Sequence, residues 1–284
     1  MIRTWYTGAS GMRAQQWRLD STANNLANVD TDGYKRDIST FKAFPEMLMR
    51  RMNDDGVYLI PPFGSGDMAP IIGKLGTGVE FNELYTNFEQ GAPKESGNDF
   101  DLMLDGHGFF SVETPYGERY TRNGSFHLGK EGYLETKEGY PVLGENGRLR
   151  VQSNNFKVDK DGNVWVNAEY ADDPSQMIRR EDNTWGEAVL LDRLKIAGFE
   201  QERFLKKQGS SLYETSEYSG EAEILPQGHR PQVLQGFTEA SNVNAVLEMV
   251  NMIEVQRAYE ANQKVIQSGD SMLGVLINQY ARLG

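Results

Sequence analysis

Cysteine is absent from this 284-residue chain, which excludes disulfide frameworks, thiolate metal sites and cysteine nucleophiles together. Also missing is any run approaching the roughly 20 consecutive apolar residues that span a bilayer, so no membrane insertion is expected. The first dozen residues interleave Arg3, Thr4, Gly8 and Ser10 where a cleavable secretory signal carries an apolar run of about 7–15 residues, so any export is expected to take another route. Positive charge is scarce: 29 Lys and Arg against 41 Asp and Glu give a formal net charge of −12. Basic residues scattered among acidic ones build no phosphate-binding face, and nucleic acid is not expected as a partner. The only histidines, His107, His127 and His229, share no metal-ligand spacing, so neither metal nor cofactor is expected.

What the chain does have is an apolar seam at each end. Ile2, Trp5, Ala9, Met12, Gln16, Leu19, Ala23 and Leu26 step alternately by three and four, the spacing that keeps side chains on one stripe of a helix. The same alternation runs through Met252, Val255, Tyr259, Asn262, Ile266, Gly269, Leu273, Leu276, Tyr280 and Leu283. Chain ends fray unless something ties them down, so two striped helices placed there point to assembly rather than catalysis. Asn262, a polar residue in the seam, is expected to fix register. The first helix should run from Ile2 to about Asn28 and stop near Asp30–Gly33, about 40 Å long. The last should begin near Asn242 or Asn244 and run to the end. Asn24, Asn25 and Asn28 read as an elbow or a plain helix stop.

The 30 glycines and 30 aromatic residues predict a middle of short strands and tight turns. Strands are expected at 101–104, 109–113, 119–121, 125–128, 133–136 and 140–143, punctuated by Asp105-Gly106, Tyr116-Gly117, Asn123-Gly124, Glu131-Gly132 and Glu138-Gly139. That pattern predicts an antiparallel meander or small barrel. Residues 156–158 and 164–166 flank a hairpin turn, 189–199 supplies further strand, and 167–186 reads as a long surface loop. A short apolar helix is expected over 41–52, with loop from 53 to 78 because of Pro61-Pro62 and several glycines.

Two motifs invite chemistry and are better explained otherwise. Asp159-Lys160-Asp161-Gly162-Asn163 offers oxygens at alternate positions, but an EF-hand loop needs Gly at position six and Glu at position twelve, where this chain has Val164 and Tyr170. Asp99, Asp101 and Asp105 could be imagined as a glycosidase pair, yet carboxylates beside strand turns are ordinarily solvated. No catalytic residue is assigned.

The two ends resemble a known family. Gly8-Ala9-Ser10-Gly11-Met12, Leu19-Asp20, Ala23-Asn24-Asn25-Leu26-Ala27-Asn28-Val29 and Gly33-Tyr34-Lys35 are similar to the N-terminal signature of bacterial flagellar basal-body rod proteins. Glu239-Ala240-Ser241-Asn242-Val243, Glu248-Met249-Val250, Gln256-Arg257-Ala258-Tyr259-Glu260-Ala261-Asn262 and Lys264-Val265-Ile266 resemble the C-terminal one. Between them, 101–110 and Tyr120-Thr121-Arg122-Asn123-Gly124-Ser125-Phe126 are similar to the β core of rod and hook proteins. The resemblance implies a non-enzymatic axial subunit of the FlgF/FlgG class, exported through the flagellar type III apparatus and stacked with itself and related rod and hook proteins into the periplasm-spanning shaft of the basal body. The segment from Trp5 to Met12 resembles the proximal-rod FlgF member, which is preferred, while 44–75 resembles the insertion of the distal-rod FlgG member. Asp30, where asparagine is usual, and Gly269 depart from the family pattern.

The expected architecture is α+β: long terminal helices paired as a coiled-coil-like stem around an antiparallel β-rich middle. Its expected parts are an assembly helix at 1–35, an extended insertion at 36–78, the β domain at 79–235 and a second assembly helix at 236–284. The expected interface comprises Ile2, Trp5, Ala9, Met12, Leu19, Ala23, Leu26, Met252, Val255, Tyr259, Asn262, Ile266, Leu273, Leu276, Tyr280 and Leu283. Rival functions are a cell-wall-directed carbohydrate hydrolase and a secreted adhesin-like interaction module.

Overall fold

The computed structural model describes residues 2–50, 57–60, 64–67, 71–151, 155–167, 188–209, 211–226, 228 and 230–283. Among the described residues, two α-helices bracket a β-rich middle: α1, Ile2–Ala27, and α2, Ala245–Leu283. The fold is α+β, and among the described residues the antiparallel sheets do not close into a barrel. By compactness the chain divides into one unit made of 1–24, 38–84 and 246–284 and another made of 25–37 and 85–245.

In the second unit a six-stranded antiparallel sheet runs in the order Lys206–Gln208, Leu212–Glu214, Gly117–Thr121, Phe109–Thr114, Ile196–Gly198, Glu223–Ile224. A three-stranded sheet joins Phe156–Val158, Asn163–Asn167 and Ala188–Arg193. Alternation of side chains sends neighbours along a strand to opposite faces, and both faces of Phe109–Thr114 are covered. Phe110, Val112, Phe126, Leu134, Val142, Leu149, Val164, Leu194 and Ile196 therefore meet in the main core, and Phe88, Phe109, Tyr120, Leu205 and Tyr213 in a second aromatic one. In that aromatic core the rings meet edge to face, Phe109 lying 5.4 Å from Phe88 and 5.6 Å from Tyr213, an arrangement that suits their quadrupoles.

The strands read from the sequence are present with ends shifted by a few residues, and 189–199 is split in two around Leu194-Lys195. Asp159–Asn163 is the hairpin turn expected, Gly162 N–H donating to the Asp159 carbonyl at 2.8 Å. The expected helix over 41–52 is corrected to strand: Asp37–Ala43 pairs with Val79–Thr86, and Met47–Arg50 with Ile71–Leu75. Pro45 lacks the N–H a helix needs there, and Phe41, Phe44 and Met47 find partners across strands instead. Within the loop expected at 53–78, Val57–Ile60 pairs with Gly64–Asp67, while residues 53–56, 61–63 and 68–70 lie outside the described residues. Most of the expected loop at 167–186, and Met52, lie outside the described residues. The polar stretch after Glu214 also holds strands, Gln232–Gln235 and Phe237–Glu239, paired with Leu102–Asp105 and Pro93–Glu95.

Candidate assembly elements

The first unit is built on α1 and α2 running antiparallel, with glycine at three contacts. A Cβ on Gly269 would lie 2.7 Å from Trp5 Nε1, one on Gly8 2.9 Å from Ile266 Cγ1, and one on Gly11 3.0 Å from the Asn262 side chain. Trp5, Gly8 and Gly11 ascend one helix while 269, 266 and 262 descend the other. Glycine in a helix interior costs about 1 kcal/mol in propensity, and here it lets a tryptophan, an isoleucine and an asparagine seat against the facing backbone. The departure at Gly269 is thus a socket for Trp5, and α2 continues through it without interruption.

Along α2 the expected seam faces inward for most of its length: Val255 is buried, and Met252, Asn262, Ile266 and Leu273 are half-buried. Tyr259 and Leu276 are exposed. On α1, Trp5, Met12, Leu19, Ala23 and Leu26 are half-buried, whereas Ala9 is exposed and its neighbour Gly8 is buried. Early in α1 the packed stripe therefore runs one residue ahead of the apolar one, because glycine scores as a gap in a hydrophobic pattern yet permits the closest approach. The side chains of Ile2, Tyr280 and Leu283 lie outside the described residues.

In the second unit, the backbone leaving α1 and the backbone entering α2 are joined by a buried charge cluster. Lys35 Nζ lies 2.5 Å from Glu239 Oε1, with both side chains out of water, and donates also to the Glu89 carbonyl at 2.7 Å. Gly91 N–H donates to the same Glu239 oxygen at 2.8 Å, and Arg122 Nη1 approaches the other at 3.5 Å. Arg122 Nη2 donates to the Gly106 carbonyl at 2.7 Å, and its guanidinium stands 5.3 Å over the Phe109 ring. Burial pulls the Lys35 ammonium below the ordinary lysine value, and Glu239 opposes that pull; burial likewise lowers Arg122. Such a cluster holds only while each charge keeps its partners.

Close backbone approach surrounds it. Gly33 N–H donates to the Glu239 carbonyl at 2.7 Å, and Gly33, at φ +70°, leaves room for the Asn123 backbone, which a Cβ would meet at 2.6 Å. Asn25 clamps the return of the chain, its amide donating to the Asp37 carbonyl at 2.8 Å and its oxygen accepting from Asp37 N–H at 2.9 Å. Asn242 does the same for the entry to α2, accepting from Arg36 N–H at 2.8 Å and donating to the Asn87 carbonyl at 2.9 Å. Lys207 pairs with Asp37 at 3.0 Å and lies 3.9 Å over the Tyr34 ring. Lys35, Arg122 and Glu239 lie within the family-like segments, and no local pattern assigns them a role. Their signal was a charge set among glycines and aromatics in three separate segments, a composition that favours burial.

The aspartates weighed for catalysis serve the strands. Asp105 accepts from Gln90 Nε2 at 3.1 Å, Asp101 is buried in a bridge with Ser125, and the Asp99 carbonyl accepts from Gln235 Nε2 at 2.9 Å. His107 is exposed beside Glu202 at 3.4 Å.

Family models match three segments. Residues 6–35 match "Flagella basal body rod protein", 103–166 "Flagellar hook protein FlgE/F/G D1 domain", and 234–279 "Flagellar basal body rod FlgEFG protein C-terminal". The flagellar basal-body rod protein FlgG of Bacillus subtilis is 33% identical over 289 residues, covering 98% of this chain and 99% of its own length. The chain belongs to the flagellar basal-body rod protein family. FlgG of Borreliella burgdorferi is 32% identical over 98% of both chains, and the B. subtilis flagellar hook-basal body complex protein FlhO is 30% identical over the whole of both. As a rod protein it is a structural subunit of the flagellar basal body, in a family that assembles with other flagellar axial proteins. Each matched segment of this rod protein contributes one charge to the buried cluster: Lys35 from the first, Arg122 from the second, Glu239 from the third.

Proposed function

We propose that the chain polymerises helically with itself and other axial proteins through α1 and α2, and that the resulting shaft transmits torque between motor and hook. The observation that carries this reading is the large apolar surface α2 keeps facing outward after pairing with α1: Val246, Met249, Val250, Ile253, Val265, Met272 and Val275 are all exposed. Surface of this kind marks a contact with another molecule. In this reading 1–35 and 236–284 are the assembly segments that carry α1 and α2, 36–78 an insertion and 79–235 the β domain that makes lateral contacts. The chain acts mechanically and not as an enzyme, and reaches the rod through the flagellar type III apparatus. Two of the relatives described carry the FlgG name, which favours a distal-rod position over the FlgF-like one suggested by Trp5–Met12.

Deleting the gene from its host and restoring it in trans tests the reading. The deletion should abolish motility and the full chain should restore it; a motile deletion strain would overturn the proposal. A chain carrying Asp99→Asn and Asp105→Asn should restore motility equally well. Its failure to do so, with the protein present at normal level, would favour the hydrolase rival.

A further inference from the structure

The unit made of 1–24, 38–84 and 246–284 carries two apolar surfaces that the α1–α2 contact leaves unused. One is a groove of about 480 Å³ along α1, walled by the helix from Tyr6 to Trp17 and by the chain from Thr77 to Phe81. Its walls run side by side: Thr7 Oγ1 donates to the Thr77 carbonyl at 3.3 Å, Val79 N–H donates to Ser10 Oγ at 3.3 Å, and Trp17 stacks on Phe81 with ring centres 5.0 Å apart. The groove follows about three turns of α1, roughly 16 Å. Midway along it Arg13 stands on one wall and Glu80 on the other.

The second surface is the outward stripe at the start of α2. Val246, Met249, Val250 and Ile253 are 46–65% exposed on the side away from buried Val255. At about 100° per residue the same stripe continues into Arg257 and Glu260, both exposed. It is about 21 Å long, enough to fill the groove, and it brings one charge of each sign to a groove that offers one of each sign. Among the described residues Glu80 pairs with Lys42 at 3.6 Å, with both side chains more than half exposed, a pairing that a docked arginine can replace at little cost.

We propose that the outward stripe of α2 in one copy of this chain lies in the α1 groove of a second copy, with Arg257 facing Glu80 and Glu260 facing Arg13. The proposal rests on the rod reading above and names its self-contact. Because groove and stripe belong to the same chain, each copy gives its groove to one neighbour and its stripe to another. Such a heterologous contact continues without closing and builds a filament.

The absence of cysteine makes a clean cross-linking test. Two single-cysteine chains, Ala9→Cys and Ile253→Cys, whose positions lie at similar distances along their helices from Arg13 and from Arg257–Glu260, are co-expressed in the host; basal bodies are purified, oxidised, and their disulfide dimers identified by mass. A mixed dimer in excess of either homodimer is expected, falling roughly tenfold when Arg13→Glu is added to both chains and recovering when Glu260→Arg is added as well. The self-contact is overturned if the chain is present in basal bodies but yields no mixed dimer, if the dimer ignores Arg13→Glu, or if either cysteine couples only to a different protein. Absence of the unmodified chain from basal bodies would instead overturn the rod reading beneath it.

Discussion

Lys35 and Glu239, 204 residues apart, meet at 2.5 Å in a site closed to water. The pair joins the segment that follows α1 to the segment that precedes α2, and Arg122 from the β core completes it. Glu239 answers both cations and the Gly91 N–H, so its removal strands two buried positive charges. Glu239→Gln should therefore destabilise the monomer by about 3–5 kcal/mol. Lys35→Met should cost less, because Glu239 keeps Arg122. Urea unfolding of the purified chain checks the order; equal losses would mean that the carboxylate is not the hub.

The glycines of α2 divide by what faces them. A methyl on Gly269 meets Trp5 at 2.7 Å, while Gly274 has nothing within 4 Å. Gly269→Ala should destabilise by about 1–3 kcal/mol through overpacking, despite alanine's better helix propensity. Gly274→Ala should stabilise by about 0.5–1 kcal/mol. Thermal unfolding of both variants tests the contrast, and combining Gly269→Ala with Trp5→Ala should remove most of the packing penalty.

Two glycines of the second unit face backbone and have no such relief. A Cβ at Gly91 would sit 1.8 Å from the Ala240 carbonyl oxygen, and one at Gly124 1.6 Å from that of Leu102. Either alanine variant should lose more than about 4 kcal/mol or fail to fold. Gly97, at φ +69° with open space around it, should lose only about 1–2 kcal/mol as alanine. Soluble yield and circular dichroism separate the two cases.

Burial pushes the Tyr120 hydroxyl up to about 12, and the buried Tyr213 hydroxyl is raised further by the same cause. A raised native pKa means that the folded chain keeps a proton the unfolded chain releases near pH 10, so this contribution is complete below pH 10 and is lost as pH rises to about 12. Tyr120→Phe should therefore soften the alkaline loss of stability by about 1–2 kcal/mol across that window, the hydroxyl being partly screened by solvent. Urea midpoints between pH 9 and 11.5 measure it; parallel curves for the variant and the parent would contradict it.

Much of this fold is legible in sequence where a local rule governs it. Three-and-four spacing marks both helices, and dipeptides such as Asn123-Gly124 mark the turns. What sequence reading misses is non-local. The strand at Met47–Arg50 looks helical until Ile71–Leu75 supplies its partner, and Gly8 looks like a gap until Ile266 packs on it. The cluster at Glu239 is drawn from three segments, and periodicity cannot reveal a site whose members share no element. Family motifs held all three charges without indicating that they meet.

Entry into the rod is proposed to depend on the terminal helices. A chain lacking residues 245–284, expressed in the deletion strain, tests it most directly through immunoblots of purified basal bodies, with circular dichroism of the same truncated chain to verify its β structure. A folded β middle, no truncated chain in the basal bodies and non-motile cells are expected. A truncated chain built into basal bodies of swimming cells would contradict it.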